Sequence, residues 1–203
     1  MLQAAVLAAG ESRRMGSPKA LLPDRQGVPF ITRIIQTLRS AHLTDVLVIT
    51  GSQHEGIAAA VAQAHLDSAV RFARNPDPTR GQLSSIWTAL DSSPDDTDGL
   101  LMTLVDVPMI TTATVRAVID AWNTTRAPVV RPIVDGRRGH PVIFDRRIFD
   151  ELRAAPLDTG ARLVVRAHWG ESVDVPVADR GSIVDIDTPA EYERLRNEYT
   201  SDL

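Results

Sequence analysis

The chain of 203 residues has no cysteine and no long apolar run. The absence of cysteine excludes disulfide bonds, thiolate zinc sites and cysteine nucleophiles. No apolar stretch reaches the roughly 18 residues that a membrane-spanning helix needs. The opening "MLQAAVLAAG" is also too short an apolar segment for a signal peptide. We therefore expect a soluble, cytoplasmic protein that has no membrane partner.

Basic charge and aromatic side chains are also scarce. The 26 acidic residues outnumber the 22 basic ones, which gives a net charge of −4, and aromatic residues make up 4% of the chain. Proteins that bind nucleic acid through its phosphates are usually basic, and binders of single strands combine basic residues with aromatic platforms. We therefore expect no nucleic-acid partner.

Two familiar phosphate-binding patterns, the Walker sequence and the dinucleotide fingerprint Gly-x-Gly-x-x-Gly, are missing as well. The stretch "LAAGESRRMGSPKALLP" nevertheless follows the first apolar run. Gly10 would let the backbone approach an anion, Arg13 or Arg14 could donate forked hydrogen bonds, and Lys19 could add a point charge. The composition favours a phosphate-binding loop, and a surface loop with hydrated charges is the alternative.

Short apolar runs alternate with amphipathic helical patterns along the first 125 residues. The apolar runs are "QAAVLAA", "DVLVIT", "AVRFARN" and "GLLMTLVDVP". Such alternation is typical of βαβ units, and strands that are apolar throughout are typical of a sheet covered on both faces. We therefore predict an α/β fold with a mostly parallel central sheet between helices.

The remainder of the chain is less regular. The run "APVVRPIVDGRRGHPVIF" predicts a hairpin that turns at Asp135-Gly136, and "SVDVPV" and "SIVDI" predict strands. Helical patterns occur in "DRRIFDELRAA", "DTGARLVVRAHW" and "TPAEYERLRNEY". No linker rich in Pro, Gly or Ser separates two parts, so we predict one domain over residues 1–203.

Two aspartates stand where the predicted sheet would present them to a ligand. Asp106 ends the fourth apolar run, and ligands of such sheets bind at the carboxyl ends of strands. It suits either a Mg²⁺ ligand or a cap beside Pro108. Asp187 suits a second ligand, and Asp185 would share its strand face. Spacing alone favours the other reading, in which Asp187 or Thr188 caps the last helix.

Six motifs occur in order: "LAAGESRRMGSPKALLP", "GQLSSIWTAL", "LVDVPMI", "GHPVIF", "DTGAR" and "DIDTPAEYERL". Together they make the chain resemble the MobA/MocA-like nucleotidyltransferases, most closely the molybdenum cofactor cytidylyltransferase branch, from Val6 to about Leu195. The resemblance implies a Rossmann-like, three-layer α/β/α nucleotidyltransferase fold. It also implies a nucleotide-binding half over about residues 1–110 and an acceptor-binding half over about residues 111–203.

The resemblance further implies the reaction. The terminal phosphate of molybdopterin, or of its molybdenum-loaded form, would attack the α-phosphorus of CTP and release pyrophosphate. Asp106 and Asp187 would bind the cofactor Mg²⁺, and Lys19 and Arg14 would complete the catalytic set. A molybdoenzyme is an implied client. Such a reaction needs no protein nucleophile because the attacking phosphate is already ionised, which agrees with a site of Gly, Arg, Lys and Asp.

Two binding sets follow from the same motifs. The nucleotide set implied by the resemblance is Leu7, Ala8, Ala9, Gly10, Arg14, Lys19, Gln82 and Ser85, of which Ser85 matches a serine that contacts the base. The acceptor set implied by "GHPVIF" is Gly139, His140 and Pro141. His140 also suits a hydrogen bond to a neighbouring loop, and Arg137 and Arg138 suit either an anion contact or a hydrated turn. Trp87, Trp122 and Trp169 fall within or at the ends of predicted helices, where we expect packing rather than base stacking.

The choice of CTP rests on two positions. Guanylyltransferases of this family usually read "LAGG" and carry aspartate before the lysine, whereas this chain reads "LAAG" and has Pro18 before Lys19. Both departures favour CTP over GTP. Two alternatives stay open: a nucleotidyltransferase with GTP or another acceptor such as a sugar phosphate, and an accessory protein that delivers a cofactor without catalysis.

Overall fold

The centre of the computed structural model is one eight-stranded sheet. The structure describes residues 1–12 and 14–198. The strands are β1 (Leu2–Ala8), β2 (Val46–Thr50), β3 (Val70–Arg74), β4 (Gly99–Leu104), β5 (Val129–Val134), β6 (Arg137–Arg138), β7 (Val142–Asp145) and β8 (Val173–Pro176). The α-helices are α1 (Phe30–Ser40), α2 (His54–Gln63), α3 (Gln82–Asp91), α4 (Thr112–Thr125), α5 (Phe149–Ala154), α6 (Ala161–Ala167) and α7 (Pro189–Glu198). Within the described residues, every helix is too short or too polar to span a bilayer.

The strand order is β3-β2-β1-β4-β7-β5-β6, and β8 pairs with β5. The first four strands are parallel to one another, as are β5 and β8, whereas β7 is antiparallel to both of its neighbours. Between β5 and β6 the chain turns at Asp135 and Gly136, which both have the positive φ that a two-residue hairpin turn requires. The predicted mostly parallel sheet and this hairpin are confirmed, and the carboxyl ends of β1 and β4 lie at one edge.

Helices cover both faces of the sheet because the buried strands present apolar side chains to both sides. In β1, Ala4 and Val6 join the core under α1, α2 and α4, whereas Ala5 and Leu7 join the core under α3, α5 and α6. The buried stripe of α1 is Ile31, Ile34, Ile35 and Leu38, spaced three or four residues apart. The three-layer α/β/α arrangement is therefore as predicted.

The predicted strand "SIVDI" is wrong. Arg180–Ile183 forms a 3-10 helix, and the residues from there to α7 have no regular structure. Their backbone groups bond to loops instead of to a neighbouring strand. The Ser182 carbonyl accepts from the His140 N–H at 2.8 Å, and the Ile186 N–H donates to the Asp106 carbonyl at 2.8 Å. These two bonds fix the segment against the carboxyl edge of the sheet.

Candidate active site

A cavity of about 320 Å³ opens where β1 and β4 end and α3 begins. Six residues of the predicted nucleotide set line it: Leu7, Ala9, Gly10, Lys19, Gln82 and Ser85. Leu7 and Ala9 face it together because alternate residues of an extended chain share one side. The fold therefore brings side chains from the glycine loop (residues 10–19), from α3 and from the end of β4 to one place.

Two residues of the predicted nucleotide set do not line this cavity. The side chain of Ala8 packs in the core on the opposite face of the sheet, so only its backbone is available to a ligand there. The side chain of Arg14 is 70% exposed, and its Nη2 donates to Asp187 Oδ2 at 2.7 Å. Arg13 lies outside the described residues. A phosphate contact for either arginine stays a prediction.

The ammonium group of Lys19 lies between the carboxylates of Asp106 and Asp187. Its Nζ donates to Asp106 Oδ2 at 3.2 Å and also to Asp187 Oδ1. The lysine side chain is only 12% exposed, so water screens these charges incompletely. The backbone N–H of Lys19 donates to Ser12 Oγ at 3.0 Å, which holds the two ends of the loop together. One cation and two carboxylates from three distant motifs therefore meet beside the cavity, which Lys19 and Asp106 line.

The last helix is capped by Thr188, which leaves the side chain of Asp187 to face this cluster. Thr188 Oγ1 accepts from the N–H of Glu191 at 3.3 Å. The carboxylate of Glu191 accepts in return from the N–H groups of Asp187 and Thr188, at 2.9 Å and 2.8 Å. This is a capping box. It fixes the backbone of Asp187 while its carboxylate bonds to Lys19 and Arg14.

Asn75 supports Ser85, a role that the sequence reasoning missed. Asn75 is 5% exposed, and its Nδ2 donates to Ser85 Oγ at 2.9 Å and to Ser84 Oγ at 2.8 Å. Since Ser85 Oγ accepts from Asn75, its proton remains for an acceptor in the cavity. The available signal was position, because Asn75 directly follows β3 at the edge where β1 and β4 also end.

A second cavity, of about 480 Å³, shares Gln82 and Leu104 with the first. Met102 and Leu104, two residues apart in β4, lie on one face and lead from the second cavity to the first. His140 also lines the second cavity, and its Nδ1 is buried without a hydrogen-bond partner in the described part of the chain. Burial lowers the pKa of His140, although the charge of Asp106 acts in the opposite direction. The lowered pKa favours a neutral imidazole.

Gly139 and Pro141, predicted to bind the acceptor, do not line this cavity. Both are buried beside it. A Cβ on Gly139 would lie 2.2 Å from the Ser182 carbonyl oxygen, so this glycine permits the close approach of two backbone segments. Of the three predicted acceptor residues, the structure therefore brings only His140 to the cavity wall.

A match to a family model identifies the family to which this chain belongs. The model of the MobA-like NTP transferase domain matches residues 4–173. The chain is a MobA-like NTP transferase. It is therefore a nucleotidyltransferase. The matched region includes every residue that lines the first cavity and all but Asp185 of those that line the second.

Three relatives of this MobA-like transferase cover nearly its whole length. The molybdenum cofactor cytidylyltransferase of Escherichia coli (strain K12) is 26% identical over 195 residues, which are 96% of this chain and 95% of the relative. The purine catabolism protein PucB of Bacillus subtilis (strain 168) is 28% identical over 198 residues, 94% and 93% of the two chains. The crystal structure of Rv0371c from Mycobacterium tuberculosis H37Rv superimposes with a TM-score of 0.82 and 27% identity, covering 98% of this chain and 100% of that one. A complex of Rv0371c with manganese gives a TM-score of 0.78 at 26% identity and covers 98% and 99%.

The surroundings of this MobA-like site shift the pKa values of two nearby aspartates in opposite directions. The hydrogen bond from Lys19, together with the charges of Lys19 and Arg14, lowers the pKa of Asp187. Burial, followed by the charges of Asp106 and Asp187, raises the pKa of Asp185. Asp187 therefore stays ionised more readily than Asp185, which makes it the better ligand for a cation.

The carboxylates at this site fit a cation that brings other ligands with it. Among residues 1–12 and 14–198, no group of three or more Asp, Glu, His or Cys side chains could hold a metal ion. Oδ1 of Asp106, however, is buried and has no hydrogen-bond partner in the same residues. A buried oxygen of this kind is costly unless a donor or cation satisfies it. Mg²⁺ commonly binds through one or two carboxylates together with phosphate oxygens, so the donor set fits it.

Trp169 departs from the packing predicted for the three tryptophans. Trp122 is buried at 3% exposure, and Trp87 is partly buried, so the prediction is confirmed for Trp122 and agrees with Trp87. Trp169 is 52% exposed and lines the second cavity, and there the prediction is wrong. It stands in a 3-10 helix, Trp169–Glu171, that leaves α6, and its ring lies under the guanidinium group of Arg138 rather than in the core.

Proposed function

We propose that this nucleotidyltransferase transfers CMP from CTP to the terminal phosphate of molybdopterin, or of its molybdenum-loaded form, and releases pyrophosphate. The observation that carries the proposal is the meeting of Lys19, Asp106 and Asp187 beside a cavity of about 320 Å³, which the first two of them line. A second cavity shares Gln82 and Leu104 with the first. Two adjoining cavities suit two substrates whose phosphates must come together.

Catalysis at such a site depends on position and charge. Lys19 would exchange one of its carboxylate partners for an oxygen of the incoming triphosphate, and Arg14 would exchange Asp187 in the same way. Asp106 and Asp187 would then hold Mg²⁺, which when bound neutralises phosphate charge. The manganese complex of Rv0371c supports a divalent cation for this proposal. The protein itself orients both phosphates and supplies no nucleophile, because the acceptor phosphate is already ionised.

The preference for CTP is supported by two side chains in the first cavity. The methyl group of Ala9 occupies space that a glycine would leave to a larger base, and Ser85 offers its hydroxyl proton to a base carbonyl. The relative from E. coli, named as a cytidylyltransferase, supports the same choice. GTP is the alternative nucleotide.

We assign the acceptor to the second cavity. The second cavity draws most of its wall from residues after 111, in agreement with an acceptor-binding half there. A sugar phosphate is the alternative acceptor, and delivery of a cofactor without catalysis is the alternative function. A molybdoenzyme client and a cytoplasmic location stay predictions.

The test is a screen for pyrophosphate release with Mg²⁺, CTP or GTP, and molybdopterin or glucose 1-phosphate. We expect release with CTP and molybdopterin, and release with the sugar phosphate alone would refute the acceptor. Asp106→Asn should lower the rate by about 10²–10³-fold, because Mg²⁺ would lose one of its two carboxylate ligands and with it an electrostatic contribution of the usual size. Asp120→Asn, an exposed carboxylate on α4, is the matched control and should leave the rate unchanged. Full pyrophosphate release by Asp106→Asn would refute the proposed role of Asp106, and absence of release by the wild-type chain with every nucleotide and acceptor would favour the accessory function.

A further inference from the structure

We infer that the second cavity recognises a planar, anionic heterocycle, which stacks on the indole of Trp169 and is held by arginine side chains. The inference rests on the proposed function, since it takes this cavity as the site of the phosphate acceptor. It goes beyond that function by assigning the residues that would select the ring of the acceptor rather than its phosphate.

The first observation is an exposed aromatic ring at the cavity wall that two arginine side chains contact. Trp169 is 52% exposed and forms part of the cavity wall. The guanidinium carbon of Arg138 lies 4.1 Å from the ring centroid, and that of Arg131 lies 5.4 Å from it. At 4.1 Å a guanidinium group stacks on an indole face. Arg138 therefore covers one part of the ring, and the exposed remainder is available to a ligand.

The pairing of β5 with β8 helps to hold Arg131 and Arg138 in place. In the β5–β8 pairing Arg131 lies directly opposite Asp174. Asp174 Oδ1 accepts from Arg131 Nε at 2.8 Å, and Asp174 Oδ2 accepts from Arg138 Nε at 2.9 Å. One carboxylate thus fixes both guanidinium groups under the ring. A platform that is fixed before binding loses little conformational freedom when a ligand stacks on it.

Hydrogen bonds of the preceding residue, His168, also fix the backbone around Trp169. His168, the residue before Trp169, pairs through Nε2 with the carboxylate of Glu151, at 2.9 Å from Oε2. The carbonyl of His168 accepts from Glu171 N–H at 3.0 Å and from Ser172 Oγ at 2.8 Å. These bonds hold the short 3-10 helix on both sides of the tryptophan, so the ring is placed by the backbone as well as by the arginines.

Most of the charged side chains in the remaining wall are arginines, which stand among apolar residues. Arg162 and Arg166 are four residues apart on α6, so their side chains lie on the same side of that helix. Arg131, which is paired with Asp174, also lines the cavity. One carboxylate, that of Asp185, lines it too and can accept from ring N–H groups. Arginines alone would serve any phosphorylated compound. The added indole selects a compound that also carries a flat ring.

The test is the affinity of the full chain for pterin-6-carboxylate, a planar anionic heterocycle, measured by isothermal titration calorimetry without nucleotide. We expect Trp169→Ala to weaken binding by about 5- to 150-fold, the range for removal of one stacking partner. Trp169→Phe should retain most of the affinity because it keeps a flat ring. Leu163→Ala is the matched control: it is 48% exposed, lies on α6 between the two arginines and does not line the cavity.

A second probe separates stacking from charge. Ribose 5-phosphate is anionic but has no aromatic ring, so its affinity should be unchanged in Trp169→Ala and reduced in Arg166→Gln. The inference is overturned if the wild-type chain does not bind pterin-6-carboxylate or if Trp169→Ala binds it within twofold of wild type. It is also overturned if that variant loses both probes equally. Because no turnover is needed, absence of pyrophosphate release together with Trp169-dependent binding would refute the proposed reaction and leave the ring site intact.

Discussion

Replacing Gly139 with alanine should impair catalysis although this residue does not line the substrate cavities. Its added Cβ would lie 2.2 Å from the Ser182 carbonyl oxygen and 2.8 Å from a side-chain carbon of Ile183. Real Cβ atoms do not approach closer than 3.0 Å, so the two backbone segments must separate by about 0.8 Å. Ser182 begins the segment that leads to Asp187, and a separation there displaces the second carboxylate that bonds to Lys19.

The size of the effect follows from that displacement. A misplacement of about 1 Å at a reacting group can cost on the order of 10²-fold in rate, and overpacking of a buried site typically costs about 1–3 kcal/mol of stability. We therefore expect Gly139→Ala to lower kcat/KM for pyrophosphate release by roughly 10²-fold. Urea unfolding should show a loss of about 2 kcal/mol.

Gly170→Ala is the control for this prediction. A Cβ on Gly170 would meet no atom within 4 Å, so both the rate and the unfolding free energy should stay at wild-type values. Wild-type kcat/KM and stability in Gly139→Ala would refute the packing argument. Lower stability with an unchanged rate would show that the Ser182 segment does not position Asp187.

Three further predictions concern the nucleotide, the last helix and the support of the tryptophan. Ala9→Gly should raise the rate with GTP relative to CTP, measured as initial pyrophosphate release, and an unchanged ratio would contradict the base assignment. Thr188→Ala should cost about 1 kcal/mol in urea unfolding because the capping box is lost, and should lower kcat/KM because Asp187 is held less firmly; equal stability would argue against the cap. Burial works to raise the pKa of Asp174, but hydrogen bonds from its two arginine partners outweigh it and lower that pKa. The unfolded chain then binds the proton more tightly, so this stabilisation is present above the ordinary aspartate pKa and is lost as the pH falls through the lowered value. Asp174→Asn should therefore destabilise the protein more at pH 7 than at pH 3, and an equal loss at both would refute the argument.

The parallel strands and most helices could be predicted because their signals are local. An apolar run that ends at a glycine or aspartate encodes a buried strand, and the Asp135-Gly136 turn encodes its own hairpin. The segment "SIVDI" has the same composition as a strand, and its prediction was wrong. Its conformation is set by bonds to the backbone of Asp106 and His140, which lie far away in sequence.

Some residues of the candidate site could likewise be predicted from the sequence, and others could not. Lys19, Asp106 and Asp187 could be proposed because each stands in a recognisable motif at the end of a predicted element. Asn75 and Trp169 could not, since their roles depend on what lies opposite them. Asn75 donates to a serine on α3, and the ring of Trp169 contacts arginines on β5 and β6.

The contact between Lys19 and Asp187 joins residues that are 168 positions apart in the chain. At synthesis rates of about 5–20 residues per second, the ribosome adds Asp187 roughly 8 to 34 s after Lys19. During that interval the nascent protein carries the glycine loop and then Asp106, but only one of the two carboxylates that meet the lysine. Every chain released before residue 187 would therefore lack one carboxylate partner of Lys19, so the cluster of Lys19, Asp106 and Asp187 is completed only after Asp187 has been added.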